Sequence, residues 1–142
     1  MELTRDMALE KLAGGPTALR QLHHAAITVP TDRLEEAKRF YGGVLKLTEA
    51  SRPDAELGRP GAWYKLGDTE LHIQCRDDAP APDADYHPAF IVGDVNALQA
   101  SLRAKGVEVI DAPAVMGRER FFVRDPFGNR LEFMTLPDGN AG

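Results

Sequence analysis

The chain has one cysteine, one tryptophan, no long apolar run and no excess of positive charge. A single Cys75 excludes an internal disulfide framework and fits a reducing cytoplasm. No stretch approaches the roughly 20 apolar residues that span a bilayer, so a membrane is not an expected partner. The N-terminal MELTRDMALEKL carries acids in its first turns and lacks the apolar segment of a secretory signal. With 17 Lys and Arg against 22 Asp and Glu, the net charge of −5 leaves no basic footprint for nucleic acid. What is present is ordinary for a globular protein: 43% apolar and 27% charged residues, over a length of 142 that suffices for one compact unit or two very small ones. The histidines are less ordinary. His23, His24, His72 and His87 all fall in segments patterned as strands.

Residues 2–13 predict a short helix with Leu3, Met7 and Leu12 on one side, stopped by Gly14-Gly15-Pro16. QLHHAAITV (21–29) alternates as a strand, with His24, Ala26 and Thr28 on one face and Ala25, Ile27 and Val29 on the other. Thr31 or Asp32 can cap a helix over 33–41, which Gly42-Gly43 stops before a strand in VLKLTEA. Residues 63–75 predict a hairpin turning at Gly67-Asp68, in which Glu70, His72 and Gln74 face away from Leu71, Ile73 and Cys75. DDAPAPDAD reads as a linker. After it come a strand in YHPAFIV, a helix over 94–105, a strand in GVEVI and a loop from Pro113 to Arg118. The stretch RFFVRDPFGNRLEFM (120–134) makes a last hairpin whose turn is supplied by Asp125, Pro126, Gly128 and Asn129. Its second strand puts Arg130, Glu132 and Met134 on the face opposite Leu131 and Phe133.

The two halves repeat one pattern, strand-helix-strand-strand-strand. HAAITV at 24 matches HPAFIV at 87, an offset of 63 that also carries Gly43-Val44 onto Gly106-Val107; Leu71-His72-Ile73 matches Leu131-Glu132-Phe133 at an offset of 60. The expected fold is α+β: two βαβββ modules related by a pseudo-twofold, their strands forming a mixed eight-stranded sheet shaped as a cup, plus an N-terminal helix. The divisions are a helical extension over 1–20, a first module over 21–76, a linker over 77–84, a second module over 85–136 and a tail over 137–142. The repeat pairs His24 with His87 and His72 with Glu132, all on the cup face by parity. Three imidazoles and a carboxylate, or two and one with open positions, suit one divalent ion of Zn, Ni, Fe, Mn or Co. His72 can be a fourth ligand, a substrate contact or a donor behind the ligands. The competing reading of Glu132 is a solvent-facing acid paired with Arg130. Trp63, Tyr64, Gln74 and Arg124 are candidates to line the cup, and Arg118 and Arg120 can meet an anionic substrate or stay solvated. His23 reads as a structural or rim residue, its parity pointing to the helix side, and Cys75 is expected to be a buried, inert thiol.

Through LHHAAITV, RFYGGVL, YHPAFIV and DPFGNRLEF, residues 21–136 resemble the vicinal oxygen chelate superfamily. That superfamily includes glyoxalase I, methylmalonyl-CoA epimerase, fosfomycin-resistance and bleomycin-resistance proteins and extradiol dioxygenases. The resemblance implies ligands at His24, His87 and Glu132, with His72 where glyoxalase I carries its remaining protein ligand, and it implies a homodimer. Two modules rather than four disfavour ring cleavage. Ala26 and Phe122 replace a Thr and a Tyr of the fosfomycin-resistance pattern, and His72 replaces an acid of glyoxalase I. The expected activity is lyase or isomerase chemistry through an enediolate, on a small substrate with adjacent oxygens. Glu132 is the candidate general base, with Glu70 on the same cup face, and Gln74, Trp63, Arg120 and Phe122 are candidate substrate contacts. The alternative is a metal-free protein that sequesters a small drug-like molecule, as bleomycin-resistance proteins do.

Overall fold

The computed structural model of the protein describes residues 15–53, 56, 58–78 and 85–135. The expected N-terminal helix over 2–13 and the tail lie outside them. Among the described residues eight strands form: β1 (His24–Val29), β2 (Thr48–Ala50), β3 (Gly61–Leu66), β4 (Thr69–Cys75), β5 (Ala89–Ile91), β6 (Val109–Asp111), β7 (Arg120–Arg124) and β8 (Arg130–Met134). Helix α1 (Leu34–Lys38) follows β1 and widens into a π-helical segment, Arg39–Val44; helix α2 (Val95–Ala104) follows β5. The architecture is α+β with strands dominant. Among the described residues no helix is long and apolar enough to cross a membrane.

The strands make two separate four-stranded sheets, in the orders β1-β4-β3-β2 and β5-β8-β7-β6, instead of the one eight-stranded sheet expected. In each sheet the first strand pairs with the last in parallel and the other neighbours are antiparallel. The sheets have the same order because the modules repeat the same pattern. Among the described residues β1 and β5 are edge strands with one neighbour each, and no ladder joins the two sheets.

The apolar parity predicted for each strand faces a single core. Val29, Leu71, Ile73 and Tyr64 of the first sheet and Phe121, Val123, Leu131 and Phe133 of the second share it with Ala37, Phe40 and Tyr41 of the α1 segment and Leu102 of α2. Tyr64 therefore belongs to the core and not to the cup, contrary to the sequence expectation. Its neighbour Trp63 takes the opposite face, as the period of two requires.

Helix α2 begins where the Asp94 side chain accepts from Ala97 N at 3.0 Å. It ends at Gly106, whose φ of +80° lets Val107 N reach Leu102 O at 2.9 Å and its own N reach Arg103 O at 3.0 Å. The first helix departs from this pattern. It has no side-chain cap of its own, and Thr31 N is held from afar by Asp77 at 3.0 Å. Gly42 and Gly43 do not stop it. The wide turn runs through them until Leu45 N meets Phe40 O and Lys46 turns to φ +61°, which shortens the following strand to three residues.

Polar contacts fasten the first module to the β7–β8 turn of the second. Tyr41 donates to Asp125 Oδ2 at 2.6 Å, Asn129 Nδ2 donates to Thr28 O at 3.0 Å, and the Arg33 guanidinium lies 4.5 Å from the Phe127 ring centre. Asp125 meanwhile accepts from the backbone N–H of Phe127 and Asn129, so one buried carboxylate shapes the turn and ties it to α1.

Candidate functional site

With the apolar faces turned to a common core, the other face of each sheet looks away from it. On the first sheet the strand register sets Ala26 beside His72 and His72 beside Trp63. On the second it sets Ala89 beside Glu132 and Glu132 beside Phe122. His24 lies two residues before Ala26, and His87 two residues before Ala89. The sequence repeat thus becomes a geometric one: in both modules the histidine sits one same-face step from the partner of the matched position.

On the first sheet three rings stack. The Trp63 indole and His72 imidazole are parallel with centroids 4.0 Å apart, and His24 lies on the other side of His72 at 4.1 Å. Nε2 of the buried His72 donates to Oε1 of Glu70 at 2.8 Å. That bond, first among several causes, holds the Glu70 carboxyl below the usual carboxylate range. Desolvation moves the His24 imidazole below its usual range, and His72 and His23 push it further down against an opposing effect of Glu70. His23 precedes β1 and is exposed, with its Nδ1 3.0 Å from Nδ1 of His24. Of the two sequence readings, structural or rim, the exposed position beside His24 fits the rim. Gln74 lies exposed on the same face.

On the second sheet Glu132 is 6% exposed and held from two sides. Its Oε1 is 2.9 Å from Nε2 of His87, and its Oε2 is 3.4 Å from Nη1 of Arg120. The Asp85 carbonyl, 2.9 Å from Nδ1 of His87, can only accept, so Nδ1 carries a proton and Nε2 is the atom turned to the acid. His87 Nε2 and Glu132 Oε1 thus face each other at 2.9 Å, two donor atoms that could share a cation. The partner of Glu132 is Arg120 and not Arg130. Arg130 lies over the Phe122 ring at 4.0 Å, and Phe122 in turn packs edge-on against His87 at 5.3 Å.

The structure therefore brings His24 to His72 and His87 to Glu132, but it does not bring the four together. Among the described residues no three His, Cys, Asp or Glu side chains converge on a metal-sized point. A cleft of about 1110 Å³ runs between the β1–β4 side of one sheet and β5 of the other; it touches Glu70 and His87 and leaves out His24, His72 and Glu132. Two participants carried a weaker sequence signal. Glu70 differs from a solvated strand acid only through its contact with His72. Arg118 is a loop charge by sequence, yet it is partly buried with Nε shielded from solvent. Cys75 is only half-buried, and burial raises its thiol pKa.

A family model of the Glyoxalase/Bleomycin resistance protein/Dioxygenase superfamily matches residues 21–133. Among solved structures, a glyoxalase family protein from Bacillus anthracis is 38% identical, with a TM-score of 0.77 over 84% of this chain and 97% of that one. A glyoxalase/dioxygenase from Nostoc punctiforme (21% identity, TM-score 0.71, 87% and 95% covered) and a lactoylglutathione lyase from Agrobacterium tumefaciens (20%, 0.65, 83% and 95%) share the fold. Comparison with curated proteins gives no match. The repeated module, its two outward-facing pairs of metal-binding residue types and the family match over most of its length lead to one conclusion: this chain belongs to the Glyoxalase/Bleomycin resistance protein/Dioxygenase superfamily.

Proposed function

We propose that the protein is a metal-dependent enzyme of the glyoxalase type, performing lyase or isomerase chemistry on a small substrate with adjacent oxygens. The observation that carries this reading is the matched register of His24 and His72 with His87 and Glu132, each pair on a sheet face turned away from the core. The donor chemistry fits a divalent ion. His87 has Nδ1 engaged by a backbone carbonyl and Nε2 turned to Glu132, so a cation would take its place between these two donor atoms; a ligating imidazole is oriented in this way by its other nitrogen. Three nitrogens and one carboxylate oxygen suit Zn, Ni, Fe, Mn or Co. A divalent ion there would supply Lewis-acid polarisation of two neighbouring oxygens.

Each sheet holds only half of that donor set, so the proposal includes a second copy of the chain. In a homodimer, the first sheet of one protomer faces the second sheet of its partner, and each of two equivalent cups receives His24 and His72 from one side and His87 and Glu132 from the other. The outer faces suit such covering, since Ile91 and Ile110 are apolar yet 54% and 38% exposed. Within the cup, Trp63 forms an aromatic wall, Phe122 with Arg130 forms another, and Gln74 offers an amide. The proton leaving the oxygen-bearing carbon next to the substrate carbonyl would pass to a cup carboxylate, Glu132 or Glu70 from the opposite sheet. A reducing cytoplasm is the proposed compartment, on the single cysteine.

The test is metal content. Protein purified without chelators is expected to hold one divalent ion per chain, and His24→Ala combined with His87→Ala is expected to lose it. Metal-free native protein whose affinity for every divalent ion survives both substitutions would sink the enzyme reading. It would favour a small-molecule trap, for which the stacked Trp63–His72 surface is the supporting feature.

A further inference from the structure

Beside Glu132, at the end of the sheet where β7 begins, is a small pocket of about 170 Å³ lined by Val115, Met116, Arg118, Arg120, Glu132 and Met134. Its volume is that of about six waters at roughly 30 Å³ each. Arg118 is the unusual member. Its Nε is buried with no acceptor, and Nη1 reaches only the Met134 sulfur at 3.9 Å, a weak partner for a cation. Among the described residues Arg118 forms no ion pair, whereas Arg120 is already engaged by Pro113 O at 2.9 Å and by Glu132. A guanidinium nitrogen shielded from water without an acceptor is costly, which marks a place where an acceptor belongs.

The backbone around it is built for position. Val115 and Arg118 exchange two backbone hydrogen bonds, 3.1 and 3.0 Å, across a two-residue turn in which Met116 and Gly117 have φ of +53° and +76°. Gly117 adopts that conformation freely. Met116 does so at a cost, while leaving its side chain 89% exposed at the pocket rim. The result is a two-residue turn that brings a forked cation into one pocket with the apolar Val115, Met116 and Met134 and with Glu132. Arg120, in the same lining, binds Glu132 itself.

We propose that Arg118 is the carboxylate-binding residue of a substrate subsite, and that the substrate is a short-chain organic acid. Its carboxylate lies across the Arg118 fork and its carbon end points along β8 toward Glu132. A planar fork matches a carboxylate with two parallel hydrogen bonds, and Val115 and Met116 cover the few carbons that a 170 Å³ space admits. Calling the ligand a substrate rests on Glu132 belonging to the proposed reaction centre; the anion site itself does not.

The test uses metal-free protein, glycolate, and ethane-1,2-diol as the neutral counterpart, followed by NMR through the arginine Nε–H and methionine methyl signals. Glycolate is expected to give a saturable shift at Arg118 and Met116, and the diol none. Arg118→Gln is expected to weaken glycolate at least tenfold, Arg118→Lys to recover part of the loss, and Arg103→Gln on α2 to change nothing. Melting curves of both Arg118 variants exclude misfolding as the cause. Equal binding of glycolate and diol, wild-type affinity in Arg118→Gln, or no saturable shift would each overturn the proposal. A parallel zinc titration separates the two readings. Absence of zinc binding with glycolate retained removes the metal centre and leaves the anion site; zinc uptake without glycolate binding does the reverse.

Discussion

Tyr41 and Asp125 show how much a single buried contact can join. They are 84 residues apart, both are buried, and their 2.6 Å hydrogen bond ties the α1 segment of the first module to the last turn of the second. Hydrogen bonds to charged groups contribute about 1.5–3 kcal/mol. Asp125 keeps three other donors when the phenol is lost, so Tyr41→Phe is expected to cost about 1.5 kcal/mol in urea unfolding, the low end of that range. The pH dependence has a definite sign. Burial, and then the Asp125 carboxylate, push the Tyr41 pKa well above 10.0, and burial pushes Tyr64 up to about 12. In the unfolded chain both phenols ionise near the ordinary value of about 10, so the unfolded state releases these protons first as pH rises. The stabilisation is complete below about pH 10 and declines above it, toward the folded values. Unfolding midpoints compared at about pH 8 and about pH 11 should fall for the wild type and fall less for Tyr41→Phe. An equal fall in both would show that Tyr41 is not a source.

Glycines distinguish the elements of this fold better than helix or strand propensity does. At Gly42, inside the π-helical segment, an added methyl would meet Tyr64 Cε1 at 3.5 Å and its hydroxyl at 3.7 Å, ordinary contact distances. Gly42→Ala should therefore be neutral or stabilise by up to about 1 kcal/mol, through lost freedom of the unfolded chain. At Gly106 there is space but φ is +80°, and alanine there should cost about 1 kcal/mol or slightly more. At Gly61, the first residue of β3, the methyl would lie 2.6 Å from Ile73 O, a backbone atom of β4 that cannot swing aside. Gly61→Ala should be the most damaging of the three, about 1–3 kcal/mol, by forcing the two strands apart. Thermal or urea unfolding of the series checks the order, and any other ranking would contradict the packing described. In sequence, Gly43 and Gly106 looked equivalent. Only Gly106 closes a helix, because α1 widens through its glycines while α2 stops at a left-handed residue.

For the whole molecule the question is which sheets face each other. If each cup draws one sheet from each protomer, a mixture of two defective chains regains a site. One carries His24→Ala and His72→Ala; the other carries His87→Ala and Glu132→Ala. Their heterodimer would contain one cup with all four losses and one with none, so mixed and refolded protein should recover metal binding that neither parent shows. Metal binding that stays absent in a verified heterodimer would exclude cups shared between protomers. Sedimentation of the wild type should show a dimer; a monomer that nevertheless binds one ion per chain would exclude the shared cup as well.

Periodicity was enough to determine the modules. Strand alternation set which residues enter the core, and the offsets of 63 and 60 set the matched positions; the register then placed His72 and Glu132 in equivalent settings. The loop charges and strand limits were less legible. His87 lies two residues before β5, and Arg118 looks like any solvated cation until the turn before it is folded. The tertiary structure alone decided that the two sheets share a core and do not pair edge to edge. A period of two fixes which side of its own sheet a residue occupies. It carries no information on how two sheets are set against each other, because that depends on the summed packing of α1, α2 and the apolar faces between them.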